Sequence, residues 1–138
     1  CQVPTRLVAA GFVAGAAPDG CGLGRKPPVI LFHGEKDLSL PYKDRRGTLA
    51  IPALGRAWAA LEGCEPQETR EALDGPKQRE EGVQRHRWWC DADAPVELYS
   101  FKRGGHVWPG HPRSAGSLSV DATAQMWAFF QAHMPSSP

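Results

Sequence analysis

Two short apolar runs, each followed by glycine, constrain the fold of this chain more than any other feature of its sequence. The first covers residues 29–32 in "VILFHGEKD", and the second is Val96–Phe101, "VELYSF". Short runs rich in β-branched and aromatic residues are typical of strands buried inside a parallel sheet. Because functional groups collect where parallel strands end, we expect the two loops that follow to share one rim.

Three further segments complete an α/β pattern. "RLVAAGFVAGA", from Arg6, predicts another buried strand, and Pro52 opens a helix through "ALGRAWAALEGC" that Gly63 can end. "SVDATAQMWAFFQAH" predicts a closing helix that Ser119 can cap. The apolar faces of the two helices are predicted to hold Leu54, Ala57, Trp58 and Leu61 in the first, and Val120, Ala124, Trp127, Ala128 and Phe130 in the second.

The segment between the first helix and the "VELYSF" strand differs from the rest. Residues 65–87 are highly charged and are broken by "DGP", which favours a surface excursion that can form a hairpin. Strands interleaved with helices indicate the α/β class, here with three parallel strands. A chain of 138 residues suits one domain.

Charge limits the kinds of partner. The chain has 16 basic and 15 acidic residues and a formal net charge of +1. We therefore expect no nucleic-acid partner and no acidic membrane surface. No apolar run is long enough to cross a bilayer, so no membrane partner is expected.

The four cysteines show no CxxC or paired Cys/His spacing. This favours disulfides in an oxidising compartment over zinc, and free buried cysteines remain the alternative. The histidines also lack the spacing of a metal site, so we expect no metal and no cofactor. The glycine-rich stretch at Gly20, Gly22 and Gly24 follows no strand and precedes no helix, which argues against phosphate binding.

Of the two loops at the strand ends, one carries an acid and the other carries a histidine. Both residue types are suited to catalysis. Asp37 follows the "VILF" strand, and His106 follows "VELYSF" within "RGGHVWPG". A carboxylate held against one imidazole nitrogen fixes the tautomer, so the other nitrogen can take a proton from a nucleophile. Taken singly, each residue would be interpreted as an ordinary loop residue. Together, their order matches the last two members of a Ser, Asp, His triad in an α/β-hydrolase.

The same loops resemble a known family. "FHGEKDLSLPY" is similar to the HGxxDxxVPY segment, and "RGGHVWPG" to the GGGHTWPG segment, of secreted esterases related to polyhydroxybutyrate depolymerases and feruloyl esterases. The similarity extends over residues 1–133, and it departs from the family pattern at Glu35, Leu40 and Arg103. The resemblance implies that the chain is the C-terminal portion of an α/β-hydrolase fold, with the last three parallel strands and their flanking helices.

The resemblance also implies roles for particular residues. It makes Asp37 the triad acid and His106 the base, and it pairs Cys64 with Cys90 in a disulfide. A Cys1–Cys21 pair is a weaker expectation. The residues that would shape the two loops are Pro41, Tyr42, Trp108, Pro109 and Gly110.

The nucleophile is missing from this sequence. No serine lies in a GxSxG elbow, the turn that aims the hydroxyl at the histidine in α/β-hydrolases. We therefore expect residues 1–138 to be a partial hydrolase domain that lacks the N-terminal half with the elbow and the oxyanion donors, and that is inactive alone. The implied partners are that missing half and an ester substrate, either a hydroxyalkanoate polyester or a feruloyl ester, and the implied location is outside the cell. The alternative is a non-catalytic fragment or binding module derived from a hydrolase.

Overall fold

The computed structural model describes residues 7–16, 27–44, 49–90, 96–112 and 118–134. The cysteines at positions 1 and 21 and the glycine-rich stretch from position 20 to position 24 lie outside these ranges, so the expectations for them stay predictions.

The chain folds as a mixed α/β structure around one five-stranded sheet. The strands are β1 (Ala10–Val13), β2 (Val29–Gly34), β3 (Thr69–Ala72), β4 (Val83–Trp88) and β5 (Val96–Phe101), and the helices are α1 (Ile51–Leu61), α2 (Pro76–Glu81) and α3 (Ala122–Ala132). The strand order is β1-β2-β5-β4-β3. The three predicted parallel strands, β1, β2 and β5, are parallel neighbours, whereas β3 and β4 add an antiparallel extension.

The charged segment after α1 is more than a surface excursion. It forms the predicted hairpin, but β4 enters the sheet beside β5 and buries Val83 and Trp88 almost completely. Val83, His86 and Trp88 are buried while the intervening residues are half-buried, and charged side chains at those positions hide the strand pattern in the sequence. The expectation that this segment stays on the surface was therefore wrong for β4, while every residue of β3 is exposed.

Two apolar layers cover the sheet. Alternate residues of β2 and β5, such as Leu31 and Leu98, pack with Trp88 against Trp58 of α1. The opposite residues, such as Phe32 and Tyr99, pack against α3, and their rings stack with centroids 5.0 Å apart. Burial of these side chains supplies the main stabilisation, at about 1.5–3 kcal/mol for each large one.

The helices differ from expectation at their ends and outer faces. Asp121, not Ser119, caps α3, because its carboxylate accepts a hydrogen bond from the Ala124 amide. Ser119 instead donates its hydroxyl and amide hydrogens to Glu81. Trp127 was expected in the core, but 58% of its surface is exposed, since α3 turns Phe129 rather than Trp127 toward the sheet.

Three positions of the predicted apolar helix faces also differ. Leu61 of α1 is exposed, as are Ala124 and Ala128 of α3. Leu54 and Trp58 are buried as predicted.

A disulfide joins Cys64, after α1, to Cys90, after β4. This pairing confirms the disulfide that the family resemblance implied, and it fastens the β3–α2–β4 segment to the helix layer. In the described part of the chain, no helix is both long and apolar enough to cross a membrane.

Candidate functional site

The site is built where β2 and β5 end side by side. These strands pair in parallel from Val29 opposite Val96 to Gly34 opposite Phe101. Beyond the last pair, the Glu35 amide donates to the Phe101 carbonyl, and the Lys36 amide donates to the Gly104 carbonyl, each at 2.9 Å. The sheet ladder therefore continues into the two loops and fixes one against the other.

Two glycines allow the loops to approach closely. A β-carbon on Gly34 would lie 2.3 Å from the Gly104 carbonyl oxygen and 2.4 Å from that of Gly105. A β-carbon on Gly104 would meet Phe101 at 2.8 Å. The atoms that face Gly34 belong to the backbone, which cannot yield as a flexible side chain does, so position 34 needs glycine to bring the loops into contact.

The Asp37 carboxylate is buried and held from both sides. Its Oδ1 accepts hydrogen bonds from the Ser39 amide at 2.8 Å and the Leu40 amide at 2.9 Å. Its Oδ2 lies 2.8 Å from Nδ1 of His106. Burial acts to raise the pKa of Asp37, but the hydrogen bonds from Leu40, His106 and Ser39 outweigh it, so the pKa is below its usual value and the carboxylate is ionised.

His106 lies between this carboxylate and the solvent. Its side chain is 48% exposed, whereas that of Asp37 is fully buried. An ionised carboxylate only accepts hydrogen bonds, so Nδ1 of His106 carries the hydrogen and Nε2 holds the free lone pair. Within the described ranges, Nε2 has no hydrogen-bond partner. The imidazole is therefore in the tautomer that a general base requires.

A second histidine supports the Asp37 turn. His33, the penultimate residue of β2, is buried, and its Nε2 lies 2.8 Å from the Leu40 carbonyl oxygen and 3.7 Å from Asp37 Oδ2. Nε2 therefore donates to Leu40, whose own amide binds Asp37. Burial lowers the pKa of His33, which keeps the ring neutral beside the carboxylate. This role of His33 was not predicted, because it depends on the fold of the turn rather than on residue spacing.

The predicted loop-shaping residues lie in both loops, and their contacts differ. The Tyr42 carbonyl accepts the amide hydrogen of Ile51 and so joins the first loop to α1. The Trp108 indole donates to the Thr123 hydroxyl at 3.1 Å, and the Pro109 carbonyl accepts from the Ala122 amide, so the second loop rests on the start of α3. Pro41 is half-buried next to Tyr42.

Gly110 has a specific structural reason to be glycine. Its φ is +83°, and a β-carbon would lie 2.6 Å from the Asp121 backbone. Its amide donates to the Leu118 carbonyl at 3.0 Å. The "WPG" turn therefore fixes where the His106 loop meets α3.

A second acid–histidine–serine array was not predicted. His86 Nδ1 lies 3.2 Å from Glu68 Oε1, and His86 Nε2 lies 3.0 Å from the Ser100 hydroxyl. Ser100 has no exposed surface, so an ester cannot reach it. Burial lowers the pKa of His86 against the opposing effect of Glu68. We interpret this array as a buried polar contact that joins the residue before β3 to β4 and β5, since both ring nitrogens of His86 have a partner.

The described serines do not complete the site. Ser100 binds His86, Ser119 binds Glu81, and Ser39 contributes its amide to Asp37. None of the three is hydrogen-bonded to His106 Nε2 in the described ranges. In the same ranges, no cluster of three or more histidine, cysteine or acidic side chains could hold a metal ion.

The comparisons with known proteins give no family assignment. No protein-family model matches the chain, and no curated protein sequence matches it significantly.

Proposed function

We propose that this chain supplies the acid and the base of a serine ester hydrolase, with the nucleophilic serine provided by polypeptide outside these 138 residues. The observation that supports this most directly is the 2.8 Å contact between Asp37 Oδ2 and His106 Nδ1, with the carboxylate buried and the imidazole half-exposed. Nucleophile activation requires a base that is oriented through one ring nitrogen, here Nδ1, and accessible at the other, here Nε2.

In the proposed mechanism, Nε2 of His106 takes the proton of the serine hydroxyl as its oxygen attacks the ester carbonyl. Asp37 stabilises the imidazolium that forms, and His106 then returns the proton to the leaving alcohol. A water molecule, deprotonated in the same way, hydrolyses the acyl-enzyme and regenerates the serine. The oxyanion donors would come from the polypeptide that carries the serine.

The open side of the sheet is consistent with further polypeptide at this position. β1 is an edge strand, and in the described ranges it pairs only with β2. Phe12 of β1 and Trp127 of α3 are 39% and 58% exposed. An apolar edge of this kind favours association with another strand. The proposal places the N-terminal half of an α/β-hydrolase there, in a secreted esterase that the Cys64–Cys90 disulfide would suit.

The proposed substrates are carboxylic esters of hydroxyalkanoate polyesters or of feruloyl groups. The competing candidate is a non-catalytic module, which is favoured by the lack of a GxSxG elbow in this sequence. A fluorophosphonate probe distinguishes them, because it labels only serines that a neighbouring base activates. In the protein encoded by the complete reading frame, we expect one labelled serine, located by mass spectrometry within GxSxG upstream of this chain.

The labelling experiment has a matched control. His106→Ala should abolish labelling, whereas His111→Ala, which changes an exposed histidine of the same loop, should leave it intact. The absence of any labelled serine in the unmodified protein would refute the hydrolase proposal in favour of a non-catalytic module.

A further inference from the structure

A cavity lined by charged residues lies beside the two site loops. Its volume is about 410 Å³. Its charged lining residues, here called the cationic cavity, are Lys36, Arg79, Lys102, Arg103, Glu35 and Glu80.

The cavity belongs to the same rim as the site. Lys36 immediately precedes Asp37, and Arg103 precedes His106 by one short turn. The opposite wall is α2 and the start of β4. Backbone hydrogen bonds hold that wall in place, because the Lys102 amide donates to the Gly82 carbonyl at 3.2 Å and the Arg103 amide to the Glu81 carbonyl at 3.1 Å. The walls are therefore formed by ordered backbone.

The charges of the cavity are not neutralised by the chain. Four cations and two carboxylates leave a formal charge of +2, in a chain whose total is +1. Among the described residues, none of these six side chains forms a salt bridge, whereas the nearby Glu71 on β3 is paired with both Arg85 and Arg87. A concave surface with unpaired charge of one sign concentrates ligands of the other sign.

We propose that the cationic cavity binds the terminal carboxylate of a hydroxyalkanoate oligomer, an inference that rests on the proposed ester hydrolase function. Lys and Arg donate charge-assisted hydrogen bonds to carboxylates, and Arg can do so with two parallel bonds. The net charge of +2 suits a ligand with one or two negative charges, and the two glutamates disfavour longer polyanions.

A carboxylate site in this cavity would discriminate between the two proposed substrate classes. A linear polyester of hydroxy acids has a free carboxylate at one end, whereas a feruloyl ester of a neutral sugar has none. Lys36 and Arg103 line the cavity and belong to the two loops that carry Asp37 and His106, so a carboxylate bound there would be held by the same loops as the acid–histidine pair. On this proposal, the cavity favours oligomers with a free carboxylate over feruloyl esters of neutral sugars.

The test uses the ¹⁵N-labelled complete protein with the His106→Ala change, so that the probes are not hydrolysed, and two probes, the linear trimer of 3-hydroxybutyrate as the free acid and as its methyl ester. At pH 7 we expect the acid to shift the amide signals of Lys36, Lys102 and Arg103, and the methyl ester to bind at least about tenfold more weakly. Added salt should weaken binding of the acid more than binding of the methyl ester, because interactions between exposed charges are screened over roughly 10 Å at 0.1 M ionic strength.

Single substitutions test whether each charge in the cavity strengthens or weakens binding of the acid. Arg79→Gln and Lys102→Gln should each weaken binding of the acid about two- to fivefold, the range for exposed ion pairs. Glu80→Gln should strengthen it by a similar factor. Lys77→Gln changes an exposed lysine of α2 that does not line the cavity, so it should leave binding unchanged.

Equal binding of acid and methyl ester would overturn the proposal, as would binding that Arg79→Gln and Lys102→Gln leave unaltered. Inorganic phosphate that binds as tightly as the trimer acid would show a general anion site and would also overturn it. Because no hydrolysis is measured, these failures leave the roles of Asp37 and His106 untouched. Conversely, intact carboxylate binding with no serine labelling in the complete protein would refute only the hydrolase.

Discussion

Asp37→Asn tests the relay with the smallest possible change of shape. Asparagine can keep Oδ1 as the acceptor of the Ser39 and Leu40 amides, so the turn should survive. The group that faces His106 then becomes an NH₂ donor instead of an oxygen. The imidazole must present a lone pair at Nδ1 and carry its hydrogen on Nε2, the nitrogen that has to act as the base. The change should therefore invert the tautomer of His106.

The energetic effect follows from the contacts that are lost. One charge-assisted hydrogen bond to a buried carboxylate is replaced by a neutral one while two backbone contacts remain, so unfolding should become easier by about 1–1.5 kcal/mol, the difference between the two kinds of bond. In the complete protein, loss of the correct tautomer should lower kcat for ester hydrolysis by about 10⁴-fold. Urea unfolding gives the first quantity, and steady-state hydrolysis of 4-nitrophenyl butyrate gives the second.

The tautomer itself is measured from the ¹⁵N chemical shifts of the His106 ring. Asp44→Asn is the control, because Asp44 also accepts a backbone amide hydrogen, from Ala50 at 2.8 Å, but is exposed and away from the histidine. It should leave the ring shifts unchanged. If His106 keeps its hydrogen on Nδ1 in Asp37→Asn, then the carboxylate does not set the tautomer and the reasoning fails.

Three further predictions concern the scaffold. Gly34→Ala should destabilise the protein by about 3 kcal/mol or more, because its methyl group would overlap the facing loop, whereas a methyl group at Gly15 would make only an ordinary contact with Phe12, at 3.7 Å, so Gly15→Ala should change the urea midpoint little. Removing the Cys64–Cys90 disulfide with a double alanine variant should cost about 3.5 kcal/mol from its separation of 26 residues, and a thermal melt unaffected by the change would contradict this. Because burial lowers the pKa of His33 in the folded state, the unfolded chain binds its proton first as pH falls below 6.5. The contribution of His33 to the free energy of unfolding is thus fully present above pH 6.5. At lower pH the free energy of unfolding should decrease by up to about 1.4 kcal/mol per pH unit, and His33→Gln should reduce this slope in urea titrations.

The parallel strands and the acid–histidine pair could be predicted because each depends on local sequence. β2 and β5 are largely apolar runs, and their parallel pairing brings Asp37 and His106, which follow them, to the same edge of the sheet. The role of β4 could not be predicted in the same way, since its charged residues conceal the strand. The side of α3 that faces the sheet was also missed, because periodicity identifies an apolar face but not how far it is covered.

Contacts that depend on tertiary structure were beyond sequence reasoning. The Glu68–His86–Ser100 array requires the antiparallel register of β3, β4 and β5, which no motif encodes. The cationic cavity requires α2 to face the ends of β2 and β5. In the sequence its charges fall in three adjacent pairs, at positions 35–36, 79–80 and 102–103, which only the tertiary structure brings together.

The most direct test of the account is the catalytic effect of His106 in the complete protein. Hydrolysis of 4-nitrophenyl butyrate should fall by several orders of magnitude in kcat with His106→Ala, since triad bases contribute on that scale, while His111→Ala should retain the parent rate. A His106→Ala protein that is folded and hydrolyses the ester as fast as its parent would contradict the assignment of His106 as the base.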